Sequence, residues 1–178
     1  NDYYRGKCTY TRLINKKDLP KEEEHYLEIN GANSSSFVYL NGEKINEHHG
    51  GYSTFRTLLN LNDGDNLLSI VVDNSPSNSV YPQTADFTFY GGLYRDVNII
   101  SVPEVHFDLD YYGGPGVMAT PHTEGVLDVK VFVKGKSDEK VRYVLLDKEG
   151  NTVAETTTDE TEVSLSVPCP HLWQGRKD

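Results

Sequence analysis

The sequence is poor in everything that would tie it to the commonest machinery. It has only two cysteines, Cys8 and Cys169, far apart and without metal-ligand spacing; with 178 residues a chain can bury a real core and needs no disulfide framework. Both are read as free, small apolar side chains. Basic residues are outnumbered, 17 against 27 acidic, for a net charge of −10. No stretch concentrates Lys and Arg as a phosphate-tracking surface does, so nucleic acid is not an expected partner. No apolar run approaches the roughly 20 residues that cross a bilayer, and a membrane is not an expected partner either. The opening "NDYYRGKCTY" has neither the basic nor the apolar part of a signal peptide, which leaves the compartment open between cytoplasm, periplasm and exterior. Neither G-x-S-x-G, nor G-x-G-x-x-G, nor a P-loop occurs, so neither a serine-hydrolase elbow nor a nucleotide cradle has support.

Helical periodicity is scarce as well. Apolar and polar residues alternate with the period of two that a half-buried strand requires, and the fold class read from this is all-β. "HYLEIN" sets Leu27 and Ile29 on one face and Glu28 and Asn30 on the other. "SFVYLNGEKI" predicts a hairpin, because Asn41-Gly42 supplies the positive φ angles of a type I′ turn. "NLLSIVVD", residues 66–73, is nearly continuous in apolar residues and predicts a strand covered on both faces. Residues 74–85, "NSPSNSVYPQTA", form a long aperiodic loop, a kind that is uncommon in compact domains and often functional.

After Val102-Pro103 the composition turns to "HFDLDYYGGPGVMATPHTEG" and a second set of strands follows. Leu127, Val129, Val131 and Val133 are expected to share one face, Val163, Leu165 and Val167 another, with a hairpin turn in "LLDKEGNTV". The domains expected are two β-sandwiches, residues 1–102 and 103–178. The second, with about four strands where an immunoglobulin-like sandwich uses about seven, is expected to be incomplete. An open sheet edge and an uncovered Trp173 would then favour a homo-oligomer.

The candidate chemistry is sparse. His48 and His49 are adjacent, and adjacent strand residues point to opposite faces, so the two do not chelate one ion. Glu22-Glu23-Glu24 reads as a solvated turn. Asn33-Ser34-Ser35 matches a glycosylation acceptor without other support for a secretory host. The richest stretch is "ADFTFYGGLYRDV", residues 85–97. Asp86 stands where the loop meets the apparent strand "DFTFY", near Tyr81, Tyr90 and Tyr94. A carboxylate accepts hydrogen bonds from sugar hydroxyls while aromatic rings cover the apolar face of a sugar; the plainer reading is an Asp that ties down its own turn. Gly91 and Gly92 imply a bulge or a close backbone approach. Arg95 and Asp96 fall on opposite faces of a strand, so one should point inward and be held in a structural ion pair.

These same residues carry a resemblance. "ADFTFYGGLYRDV" resembles the signature that closes the N-terminal sugar-binding jelly roll of glycoside hydrolase family 2, the family of β-galactosidases, β-glucuronidases and β-mannosidases. "FVYLNGEKINEHHGGYSTF" is similar to that domain's central hairpin, "YYRGKCTYTR" to its opening strand, and "VPCPHLWQGRKD" to a part of its immunoglobulin-like domain that usually continues past the Leu-Trp. The resemblance implies a galactose-binding-like jelly roll followed by an incomplete immunoglobulin-like sandwich. It also implies a chain that begins after the family's first strands. Arg95-Asp96-Val97 leans toward the β-galactosidase branch. There the aspartate ten positions before the Asp of Arg-Asp-Val contacts the sugar and helps hold sodium; here that aspartate is Asp86.

The family's two catalytic glutamates, which act with retention, lie on a (β/α)₈ barrel of roughly 250 residues. That barrel is the expected partner within the same polypeptide, and the expected ligand is a β-galactoside-like carbohydrate. No cofactor is expected of this chain; sodium or magnesium would belong to the full enzyme. Alone the chain is expected to be inactive. The alternative is a stand-alone carbohydrate-binding module without catalysis.

Overall fold

The structure is a computed structural model and describes residues 4–136 and 138–177. It is built of strands, with 3-10 turns at Lys16–Asp18 and Gly175–Lys177 and no α-helix among the described residues. The chain divides into two compact units, Asn1–Glu104 with Tyr112–Gly114, and Val105–Tyr111 with Pro115–Asp178.

The first unit holds nine strands: β1 (Lys7–Asn15), β2 (Glu24–Ile29), β3 (Ala32–Asn33), β4 (Ser35–Leu40), β5 (Glu43–His49), β6 (Phe55–Leu58), β7 (Asp65–Asp73), β8 (Gly92–Leu93) and β9 (Val97–Val102). One antiparallel sheet runs β1-β7-β4-β5, a second β6-β2-β9, and β3 pairs with β8. Their inner faces share one core. Leu27 and Ile29 of β2 and Phe55 of β6 pack with Val38 of β4 and Leu68, Ile70 and Val72 of β7. Burying each of these side chains stabilises the fold by about 1.5–3 kcal/mol.

The β4–β5 hairpin forms as the sequence predicts, with Asn41 at φ 53° and Gly42 at φ 89°. β7 departs from expectation: it is a central strand of its sheet, yet only alternate residues are buried, and Leu67 is 44% exposed. The outward members of its apolar run suit the strand conformation without being covered.

One buried histidine, His25, and one half-buried, His48, couple this core to pH. His25, on β2, shares a 2.8 Å hydrogen bond between Nδ1 and Ser101 Oγ. His48 stacks on Phe55 at 4.3 Å and reaches Ser53 Oγ through Nε2 at 3.0 Å. Burial pushes both imidazoles below their ordinary 6.5, with smaller downward contributions from Lys16 on His25 and from His49 on His48. The folded state therefore resists protonation that the unfolded chain accepts. The contribution of these two groups to stability is level well above pH 6.5 and falls as the pH drops through 6.5 toward the lowered folded values. In urea titrations at pH 7.5 and 5.5 the wild type should lose midpoint concentration at the lower pH. A double substitution His25→Gln, His48→Gln should lose less.

The second unit holds β10 (His106–Phe107), β11 (Val117–His122), β12 (Val126–Val131), β13 (Val133–Lys134), β14 (Val141–Leu146), β15 (Thr152–Thr158) and β16 (Glu162–Ser166). They pair as β11-β12-β16, β14-β15 and β10-β13. Val131, Tyr143 and Leu165 are buried, with Leu127, Val129 and Val163 packed around them, and Tyr143 donates to Glu160 O at 2.8 Å.

The sequence count of about four strands is too low. β11 is exposed at nearly every position, so it carries no alternation and is held by backbone pairing to β12. Val133 also leaves the shared face. The strand breaks at Phe132, whose N–H donates to Gly116 O at 2.8 Å, and Val133 resumes as part of β13, 40% exposed. The turn between β14 and β15 forms as expected: Asp147 accepts from the N–H groups of Glu149 and Asn151, and Gly150 takes φ 87°. Trp173 is 83% exposed.

Candidate functional site

The long loop after β7 is pinned at both ends and free in the middle. Asp73 Oδ1 accepts from Ser75 N at 2.9 Å, which starts the turn; the Ser75 side chain first, and then this N–H, hold the Asp73 carboxyl below its ordinary range. Asn74 then ties the loop to the chain's opening segment: its Oδ1 accepts from Gly6 N at 2.8 Å and its Nδ2 donates to Tyr4 O at 3.2 Å. Gln83 bridges the loop internally, accepting from Ser77 N at 3.0 Å and donating to Ser77 O and to Val80 O. Arg5 donates to Gln83 O at 2.7 Å. Val80 and Phe89 are buried. Between these two anchors residues 84–88 all face solvent.

Asp86 lies on that free arc. It is exposed, and among the described residues its carboxylate has no hydrogen-bond or ion-pair partner. The plainer expectation, that it closes its own turn, is not met; Asp73, Ser77 and Gln83 perform that work. Tyr81 and Tyr90 are each 73% exposed on the same loop, and Phe87 leans on Phe89 at 4.8 Å between centroids. Tyr94 is engaged elsewhere: its hydroxyl donates to Gly51 O, and its ring meets Tyr52 edge-on and lies beneath the Arg95 guanidinium at 5.4 Å.

"DFTFY" forms no strand, although its aromatics alternate. The backbone finds no ladder partner, and the Tyr90 carbonyl is taken instead by the Asn33 side-chain amide at 2.8 Å. Pairing begins only at Gly92 and Leu93, opposite Asn33 and Ala32. Gly91 and Gly92 mark close approaches. A Cβ at Gly91 would run into the Asn74 side chain, and one at Gly92, where φ is 80°, into the Tyr10 hydroxyl. Gly91→Ala should displace Asn74 and loosen both loop and opening segment, at a cost of about 1–3 kcal/mol, read as a lower urea midpoint.

Arg95 and Asp96 form no ion pair with each other. Both are exposed, so no inward charge needs a partner. Arg95 donates instead to Asn30 O at 3.4 Å and Tyr52 O at 3.1 Å, and the Asp96 carbonyl accepts from Asn30 N at 3.0 Å. The motif fastens the end of β2 to the approach to β9 through the backbone. The anchors Arg5, Asn74 and Gln83 were not singled out from the sequence, and Asn33 was noted only as a glycosylation match and not as an anchor; their partners lie up to 78 positions away, and isolated polar side chains carry no local signal.

The implied sodium finds little here. No group of three or more His, Cys, Asp or Glu side chains able to hold a metal forms among the described residues. One carboxylate, Asp86, is what this chain would contribute, too little to fix an ion by itself.

Known proteins resemble this chain over most of its length. Residues 2–103 match the family model described as glycosyl hydrolases family 2, sugar binding domain. A β-glucuronidase of Bacteroides fragilis is 27% identical over 99% of this chain and 28% of its own length. A β-galactosidase of Clostridium acetobutylicum is 26% identical over 95% of this chain and 19% of its own length. The crystal structure of an FMN-binding β-glucuronidase from Faecalibacterium prausnitzii superposes with a TM-score of 0.84 at 43% identity, covering 97% of this chain and 28% of that one. The chain belongs to glycosyl hydrolase family 2 and contains its sugar-binding domain. It spans less than a third of the length of each of these relatives.

Proposed function

We propose that this chain is the sugar-binding portion of a longer β-glycoside hydrolase, and that it supplies Asp86 to a sugar held by a catalytic barrel of the same polypeptide. In this reading residues 1–102 are the jelly roll and 103–178 an immunoglobulin-like domain. The observation that carries it is the state of Asp86: an exposed carboxylate without a partner among the described residues, on a free arc whose two ends are anchored by Val80 and Phe89. Held there, it accepts hydrogen bonds from one or two hydroxyls, and charge-assisted bonds of that kind are the stronger ones. The two catalytic glutamates act on the barrel, and the 178 residues turn over nothing by themselves.

The glycon favoured is a glucuronide, because the solved structure at 43% identity is a β-glucuronidase. A galactoside is the second reading, favoured by Arg95-Asp96-Val97. Steady-state assays of the longer natural protein on aryl β-glucuronides and aryl β-galactosides test both. Turnover of the glucuronide in clear excess supports the first, and the reverse ratio the second. Calorimetry of the 178-residue chain separates both from a stand-alone binding module. Sugar binding tighter than about millimolar would favour the module.

A further inference from the structure

The loop after β7 does more than carry Asp86. Its first half, residues 76–84, closes on itself around an open cavity of about 510 Å³, within the size range of small-ligand sites. One glutamine holds the rim together. Gln83 accepts from Ser77 N at 3.0 Å, donates to Ser77 O and Val80 O, and takes Arg5 Nη2 on its own carbonyl at 2.7 Å. Ser77 Oγ in turn accepts from Ser79 N at 3.0 Å, and Val80 is buried. The cavity is therefore shaped before anything enters it, which lowers the cost of binding.

Its lining is chemically mixed. The exposed Tyr81 ring, with Pro76 and Pro82, gives it an apolar wall. Arg5 is the one charged residue of the lining, and no carboxylate borders the cavity, in a chain whose net charge is −10. The side chains of Asn78 and Thr84 and the Tyr81 hydroxyl form no hydrogen bond among the described residues. A guanidinium beside an aromatic ring and such polar groups suits an anion that also has an apolar ring face and hydroxyls. A neutral sugar gains nothing from the guanidinium, and a simple carboxylate nothing from the ring.

We infer that this cavity is a subsite for an acidic sugar unit, a hexuronate, distinct from the position that Asp86 serves. The Arg5 guanidinium meets the carboxylate, the Tyr81 ring covers the C–H face of the sugar, and Asn78 and Thr84 bond its hydroxyls. The inference goes beyond the reading above and does not depend on it. Asp86 is not part of the lining, and no catalytic barrel takes part.

Titration of the 178-residue chain with methyl β-glucuronide, followed by NMR, tests this. Shifts at Asn78, Tyr81 and Thr84 should saturate with a Kd on the order of 5 mM, weaker than a stand-alone binding module requires. Methyl β-glucoside, which lacks the carboxylate, should bind about tenfold more weakly. Arg5→Lys, which keeps the charge and loses the planar fork, and Tyr81→Ala, at an exposed position, should each weaken binding about fivefold. The amide shifts of β4 serve as the folding control in both variants. Absence of saturating shifts, or equal binding of the glucoside, would overturn the inference. Acetate giving the same shifts at the same concentrations would overturn it too, since a carboxylate alone would then suffice. Asp86→Ala should leave the titration unchanged; loss of the shifts in that variant would merge the cavity with the Asp86 site and contradict a separate subsite. Because the titration needs no turnover, its failure leaves the role of Asp86 standing, and a kinetically silent Asp86→Ala leaves the cavity standing.

Discussion

Asp86→Ala, made in the longer natural protein, should lower kcat/KM for its β-glycoside about a hundredfold and leave the unfolding midpoint where it was. A hundredfold corresponds to ~2.7 kcal/mol of transition-state binding, the size of one or two charge-assisted hydrogen bonds in a site closed from water. The fold should not notice. The carboxylate has no partner among the described residues and faces solvent, and surface substitutions of that kind stay within about ±0.5 kcal/mol. Asp86→Asn keeps the shape and one acceptor, so it should lose less than Asp86→Ala. A purely structural sandwich gives a different result, with hydrolysis unchanged in both variants.

The largest expected effect on stability lies away from the loop, at Asn66. Its side chain is fully buried and uses all its hydrogen-bonding capacity. Oδ1 accepts from Asn41 Nδ2 and Asn62 N, both at 2.9 Å, while Nδ2 donates to Asn62 O at 3.0 Å and Gly64 O at 3.1 Å. Asn41 Oδ1 in turn accepts from Leu67 N at 2.8 Å. Two turns distant in sequence, the 41–42 hairpin and the 62–64 turn before β7, are thus locked through one amide. Asn66→Leu is close in volume but strands several of these groups, each at a cost of about 1–3 kcal/mol when buried. The loss should reach about 3–5 kcal/mol, a large share of a typical domain's 5–15. Urea titration should show a much lower midpoint with an unchanged slope. A loss below about 1 kcal/mol would mean that water replaces the amide.

What was legible in the sequence is what side-chain chemistry writes locally. Alternation placed β2 and β4, Asn41-Gly42 placed the hairpin, and Asp147 with Gly150 placed the turn between β14 and β15. What was not legible depends on partners far along the chain. "DFTFY" has the pattern of a strand, but a strand needs a neighbour, and the Asn33 amide occupies the carbonyl that a ladder would use. β11 is the converse, a strand with almost no buried residues. Asp86 was visible as a carboxylate at the edge of a loop, and the structure adds that it has no partner among the described residues. The anchors that leave it so, among them Arg5, Asn33, Asn74 and Gln83, become evident only once the chain is folded.

The most direct measurement is a cycle that pairs Asp86→Ala with substrate analogues, each lacking one sugar hydroxyl, in the longer natural protein. If Asp86 contacts the sugar, the roughly hundredfold loss should collapse to a fewfold for the analogue missing the hydroxyl it holds, and persist for the others. Losses of equal size for every analogue would contradict a contact between Asp86 and the sugar.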